Sequence, residues 1–146
     1  PLQMPERYES GNHNAPGLAG LEAGLAFLQS ETVEKIRSFE AELTGRLVEG
    51  LRSLPRVTVY GQGLPASHVG VVSFNVNGFA PHEVASILDN SFGIQARAGL
   101  HCAPGVHRWL GTLDHGGAVR FSVGPFTTAS EIDHAVSSVR ELAGNQ

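Results

Sequence analysis

The stretch Val69-Gly70-Val71-Val72-Ser73-Phe74-Asn75-Val76 constrains the fold more than any other. Its first half is apolar at both alternating positions, so a strand there is covered on both faces and belongs inside a sheet. Asn77-Gly78 ends it with turn chemistry. Helical stripes precede it. From Pro16 to about Gln29, Leu18, Leu21, Leu25 and Leu28 recur at steps of three and four, which predicts a helix. Gly17, Gly20 and Gly24 weaken that helix and leave a flat face that a neighbour can approach. Ser30 is the expected cap of a second, stronger helix on Val33, Ile36, Leu43, Leu47, Leu51 and Leu54, and Pro55 stops it.

Beyond Pro55, Val57 to Tyr60 predicts a short strand and Gly61-Gln62-Gly63-Leu64-Pro65 a turn. Pro81 to about Asn90 predicts a helix with Val84, Ile87 and Leu88 inward, broken at Gly93. Ile94 to Arg97 reads as a strand, and residues 98–116 as a loop with one helical turn near His107-Arg108-Trp109-Leu110. Ala118 to Val123 alternates Val119 and Phe121 against Arg120 and Ser122, the pattern of a last strand. Thr128 or Ser130 caps a final helix on Ile132, Val136, Val139 and Leu142. Residues 1–16 carry Pro1, Pro5, Gly11 and Pro16 without periodicity and read as an extended arm. The sum is an α+β chain, a short mixed or antiparallel sheet with helices packed on one face.

The bulk numbers exclude several classes. A chain of 146 residues is expected to form one domain that buries roughly two-thirds of its unfolded surface. A net charge of −4 argues against nucleic acid as a partner, since phosphate binding wants a basic face. No apolar run approaches the length of a membrane span, so no membrane partner is expected. One cysteine forms no disulfide within the chain, which fits a reducing, cytoplasmic setting. The chain opens at Pro1 in what reads as a connecting segment, and is expected to be part of a longer protein.

The chemistry concentrates in Arg97-Ala98-Gly99-Leu100-His101-Cys102-Ala103-Pro104 and Gly117-Ala118-Val119-Arg120-Phe121-Ser122. Cys102, the sole cysteine, sits in a glycine-bearing loop rather than an apolar run; it is either an exposed nucleophile or a small buried hydrophobe. Arg97 and Arg120 end or interrupt apolar strands, where a guanidinium needs an anion; a ligand carboxylate meets that need with two parallel hydrogen bonds. A thiol beside such a fork suggests work on a small sulfur-containing amino acid. His101, His107 and His115 with Cys102 match no tight spacing for structural zinc, so no metal is expected. Gly11-Asn12-His13-Asn14 precedes a helix start and reads as a turn or a weak phosphate cradle. Lys35, the only lysine, lies on a charged helix face.

Over nearly its whole length the chain resembles the C-terminal part of the class V aminotransferase family, which includes cysteine desulfurases and selenocysteine lyases. The resemblance runs through Pro5-Glu6-Arg7-Tyr8-Glu9-Ser10-Gly11-Asn12-His13-Asn14, Gly17 to Leu21 and Gly70 to Val76. It is most specific at Arg97 to Pro104 with His107, at Gly117 to Ser122, and at Thr128 with Glu131-Ile132-Asp133. It implies the small domain of a fold-type I enzyme dependent on pyridoxal 5′-phosphate, with residues 17–146 as that domain. Cys102 matches the cysteine that takes sulfur from substrate as a persulfide. Arg120 matches the residue that binds the substrate α-carboxylate, with Arg97 and His101 as further substrate contacts. Gly11 and Asn12 match a Gly-Thr pair that reaches the cofactor phosphate of the other subunit, with Asn12 in place of the threonine.

The resemblance places the Schiff-base lysine, the ring-stacking histidine and the aspartate facing the pyridine nitrogen in a large domain that precedes this region. The cofactor therefore belongs to the longer parent, and this chain alone is expected to be inactive. The implied reaction is conversion of L-cysteine to L-alanine, with sulfur moving to Cys102 and then to an acceptor protein. The implied partners are L-cysteine, that acceptor, the chain's own N-terminal domain and a second subunit. Selenocysteine cleavage, transamination and epimerisation remain alternatives within the family, as does a non-catalytic dimerisation or binding module.

Overall fold

The computed structural model describes residues 3–9, 11–61 and 69–144, in two compact units divided after Ile36. In the first unit, the segment expected as an extended arm is turned over part of its length. Arg7 N–H donates to the Gln3 carbonyl at 2.9 Å and Tyr8 N–H to the Pro5 carbonyl at 3.0 Å, so residues 3–9 wind rather than extend. Helix α1 spans Ala15–Glu31 and is capped by Asn14, whose side chain accepts from Gly17 N–H at 3.1 Å. None of its residues is buried, and Leu18, Leu21, Leu25 and Leu28 are all exposed.

The boundary between the first two helices differs from the expected one. Ser30 Oγ donates back to the Phe27 carbonyl at 3.0 Å and so stays inside α1. The break falls at Thr32, with φ of 62°, and its hydroxyl accepts from Lys35 N–H at 3.4 Å to open α2, Val33–Arg52. A hydroxyl caps best where the backbone leaves the helix, and only Thr32 does so.

The second unit is an antiparallel sheet under helices. Strands β1 Val57–Val59, β2 Val71–Val76, β3 Arg97–Gly99 and β4 Ala118–Ser122 lie in the order β1-β2-β4-β3, every pair antiparallel. β2 has the interior place expected in the sheet order, but only one of its faces is covered: it starts at Val71, and Val69 and Val71 are exposed. The turn expected over Gly61 to Pro65 falls, from Gln62 on, outside the described residues. The register pairs Val72 with Phe121 and Phe74 with Val119, so one face carries Val72, Phe74, Val76, Val119 and Phe121. That face packs with Leu43, Leu47, Val48 and Leu51 of α2, Val84 and Leu88 of α3 (Pro81–Phe92), and Ile132, Val136, Val139 and Leu142 of α5 (Ala129–Gly144). Each such side chain contributes roughly 1.5–3 kcal/mol through burial. Phe74 and Phe121 anchor the centre, with ring centroids 4.9 Å apart.

β3 begins at Arg97, three residues later than the expected Ile94. The reason is the exit from α3: Gly93 adopts the left-handed conformation, and Ile94 N–H donates back to the Leu88 carbonyl at 2.9 Å. Ile94 and Ala96 spend their apolar side chains on the core instead. The single helical turn expected near His107 is a full short helix, α4, Pro104–Leu110, opened by a proline and closed by left-handed Gly111. Thr128 rather than Ser130 forms the capping box of α5, accepting from Glu131 N–H at 3.3 Å while its own N–H donates to the Glu131 carboxylate at 2.7 Å.

Candidate active site

Alternation sends the other set of side chains to the opposite face of the sheet: Thr58 on β1, Ser73 and Asn75 on β2, Arg120 and Ser122 on β4, Arg97 on β3. The register sets Arg97 directly opposite Arg120, with Ser73 on the other side of Arg120. Among the described residues neither arginine has a carboxylate partner, and Arg120 Nε is shut off from solvent with no hydrogen-bond partner. Two like charges held side by side with no anion form a site that favours one.

The cysteine loop leaves β3 at a close glycine contact. Gly117, at φ of 89°, precedes β4, and a Cβ there would collide with the Gly99 carbonyl at the end of β3. The close approach carries the chain directly from β3 into a four-residue turn, closed by Ala103 N–H donating to the Leu100 carbonyl at 2.8 Å. Its two central residues are His101 and Cys102, with φ of 52° and 59°. Positive φ at two consecutive residues other than glycine costs on the order of 1–3 kcal/mol each and concentrates at functional sites. Cys102 is exposed, which settles the choice left open by the sequence against a buried hydrophobe.

His101 faces inward from the same turn. Its Nε2 is buried without a partner among the described residues. Burial holds the imidazole below its ordinary pKa, and the Arg120 guanidinium adds to this; a hydrogen bond to the Arg97 backbone opposes, while His107 and the Arg97 charge depress it further. His101 is therefore neutral at pH 7. His107 of α4 is buried beneath it, ring centroids 5.8 Å apart. Thr112 Oγ1 lies 2.8 Å from His107 Nδ1, and Thr112 N–H donates to the His107 carbonyl at 2.9 Å. The side-chain contact holds the His107 ring in place from the α4–β4 connection.

Acidification is expected to weaken the fold as His101 protonates in the unfolded chain before it does in the folded one. Stability falls from the unfolded value near 6.5 down to the lowered folded value. Proton NMR of the His101 ring is expected to show a midpoint below 6.5 that rises when Arg120 is replaced by Gln.

Asn75 was not singled out by sequence reasoning. Its Nδ2 donates to the Gly117 carbonyl at 3.0 Å and to Tyr60 Oη at 3.1 Å, and its Oδ1 is buried with no partner. The available signal was an asparagine inside an apolar strand, on the same parity as Ser73. Gly11 and Asn12 belong to the first unit, exposed, and nothing lies within 4 Å of where a Gly11 Cβ would stand. Among the described residues no group of three or more metal-ligating side chains forms, and no helix is long and apolar enough to cross a membrane.

Comparison with known proteins gives the chain a family. The family model described as aminotransferase class-V matches residues 2–135. A probable cysteine desulfurase of Pyrococcus abyssi is 38% identical over 140 residues, 96% of this chain and 34% of the relative. One of Methanothermobacter thermautotrophicus is 33% identical over 141 residues, 97% of this chain and 35% of the relative. The apo structure of a cysteine desulfurase from Thermococcus onnurineus superposes with a TM-score of 0.85 at 37% identity, covering 97% of this chain and 34% of that one. The chain thus spans about a third of the length of the relatives it matches. With its family model matched from residue 2 to residue 135, the chain belongs to the class V aminotransferase family.

Proposed function

We propose that residues 17–146 are the small, C-terminal domain of a pyridoxal-phosphate-dependent cysteine desulfurase, with residues 1–16 as an arm and a large cofactor-binding domain preceding them. The observation that carries this reading is the open sheet face. Arg97 and Arg120 stand paired without an anion, and a tight glycine contact leads straight to an exposed thiol at the tip of a strained turn. The similarity to desulfurases over nearly the whole chain supports it.

The donor set fits the amino-acid end of such a site. Arg120 takes the α-carboxylate of L-cysteine, and Arg97 adds positive charge at the rim. His101, neutral and half-buried, offers Nε2 as an acceptor to the substrate. Gly11 and Asn12, both exposed, are the groups on this chain for the cofactor phosphate of a second subunit. Lys35 is exposed in the first turn of α2. When bound, the cofactor supplies an electron sink for the amino acid's reacting bonds.

Cys102 then acts on sulfur. Its thiolate attacks the substrate thiol sulfur: an S–S bond forms and the Cβ–S bond breaks. The electron pair of the broken bond stays with carbon, which a proton converts to the methyl group of alanine. Cys102 is left as a persulfide, exposed at its turn for transfer to an acceptor protein in the cytoplasm. The test is Arg120→Gln in the full-length protein loaded with cofactor. The KM for L-cysteine is expected to rise about 100-fold, the cost of removing one member of a desolvated charge pair; an unchanged KM contradicts the reading.

A further inference from the structure

Two buried polar atoms of opposite sense belong to neighbouring residues on one face of the sheet. Arg120 Nε–H is a donor and Asn75 Oδ1 an acceptor, and among the described residues neither has a partner. Ser73 lies directly across from Arg120, and Asn75 is two residues further along the same strand, so Asn75 and Arg120 are diagonal neighbours on the open face. Diagonal pairs are within reach of a side chain as long as arginine's. The amide cannot turn over, because its Nδ2 faces the Gly117 carbonyl, which only accepts. A buried donor and a buried acceptor each carry a desolvation cost that one shared hydrogen bond removes.

We propose that Asn75 is the positioning residue for the Arg120 guanidinium: a change of Arg120 rotamer seats Nε–H on Asn75 Oδ1. The proposal rests on the reading of Arg120 as the carboxylate-binding residue. Asn75 lies on the β2 side of Arg120, and the Cys102 turn follows β3 on the other side. An Nε anchored at Asn75 leaves the paired Nη edge for a ligand held between β4 and that turn. A neutral amide is suited to the task. A carboxylate in its place would neutralise the guanidinium and compete with the substrate for it.

The bond is read directly in the 15N-labelled chain, from the solvent exchange of the Arg120 Nε–H, assigned by its loss in Arg120→Lys. In the native chain it is expected to exchange at least about ten-fold more slowly than the Nε–H of exposed Arg108. Asn75→Ala is expected to abolish that protection. Exchange as fast as that of Arg108 in the native chain overturns the proposal. So does protection that persists in Asn75→Ala, which would give the donor to another acceptor such as His101 Nε2.

In the full-length, cofactor-loaded protein, Asn75→Ala is expected to raise the KM for L-cysteine about 10-fold, the scale of a hydrogen bond to a charged group, with kcat changed far less. An unchanged KM overturns the positioning role. If instead Arg120→Gln leaves KM unchanged, the carboxylate reading itself has failed, while the exchange experiment still decides whether the two side chains are bonded.

Discussion

Cys102→Ala in the full-length protein is expected to lower L-cysteine desulfuration by on the order of a thousand-fold or more, as loss of a nucleophile does elsewhere. The argument is chemical and geometric together. No other cysteine exists in the chain to take its place, and the thiol sits exposed at a turn whose two central residues both carry positive φ. Alanine keeps the turn's backbone demands nearly unchanged, so loss of activity with an unchanged melting temperature isolates the sulfur. Measuring alanine release from L-cysteine and from selenocysteine, and amino-group transfer to a keto acid, separates the family's activities. Desulfuration collapses alone if Cys102 is the acceptor. If it survives at native rate, the thiol is a bystander and another class V activity takes precedence.

The second large effect is on stability. Gly117→Ala is expected to cost about 3 kcal/mol or more in urea unfolding and to lower Tm by roughly 10 °C. An alanine at φ of 89° is strained whatever the space, and here its methyl would occupy the place of the Gly99 carbonyl. β3 must then move away from β4, and Arg97 with it. Gly99, at φ of 115°, meets only the His82 ring, at an ordinary contact distance of 3.7 Å from its Cβ position, so Gly99→Ala is expected to cost less, through backbone strain alone. A Gly117→Ala variant as stable as the native chain would show that the close approach does not hold the two arginines together.

Much of the fold was legible because apolar periodicity follows burial. The inward residues of α3, α5, β2 and β4 alternate or recur cleanly, and every predicted helix and strand has a counterpart among the described residues. What escaped was local competition for backbone hydrogen bonds. Ser30 and Thr32 are equally plausible caps as letters, and the choice turns on which residue leaves the helix. Ile94 and Ala96 look like a strand, but the helix exit uses the Ile94 N–H first. The site divides in the same way. Cys102 is conspicuous as the sole cysteine, set in a glycine-bearing loop, and Arg97 and Arg120 because a guanidinium is costly beside apolar strand residues. Asn75 and the His107–Thr112 bond are ordinary letters whose roles depend on cross-strand register and burial, which pattern alone does not supply.

The most direct measurement is peptide mass mapping of the full-length, cofactor-loaded protein after a single turnover with L-cysteine and no acceptor. A gain of one sulfur atom on the Cys102 peptide, matched mole for mole by alanine, is the expected result. Alanine formed with Cys102 unmodified would contradict it, because sulfur would then leave by a route in which this chain's thiol has no part.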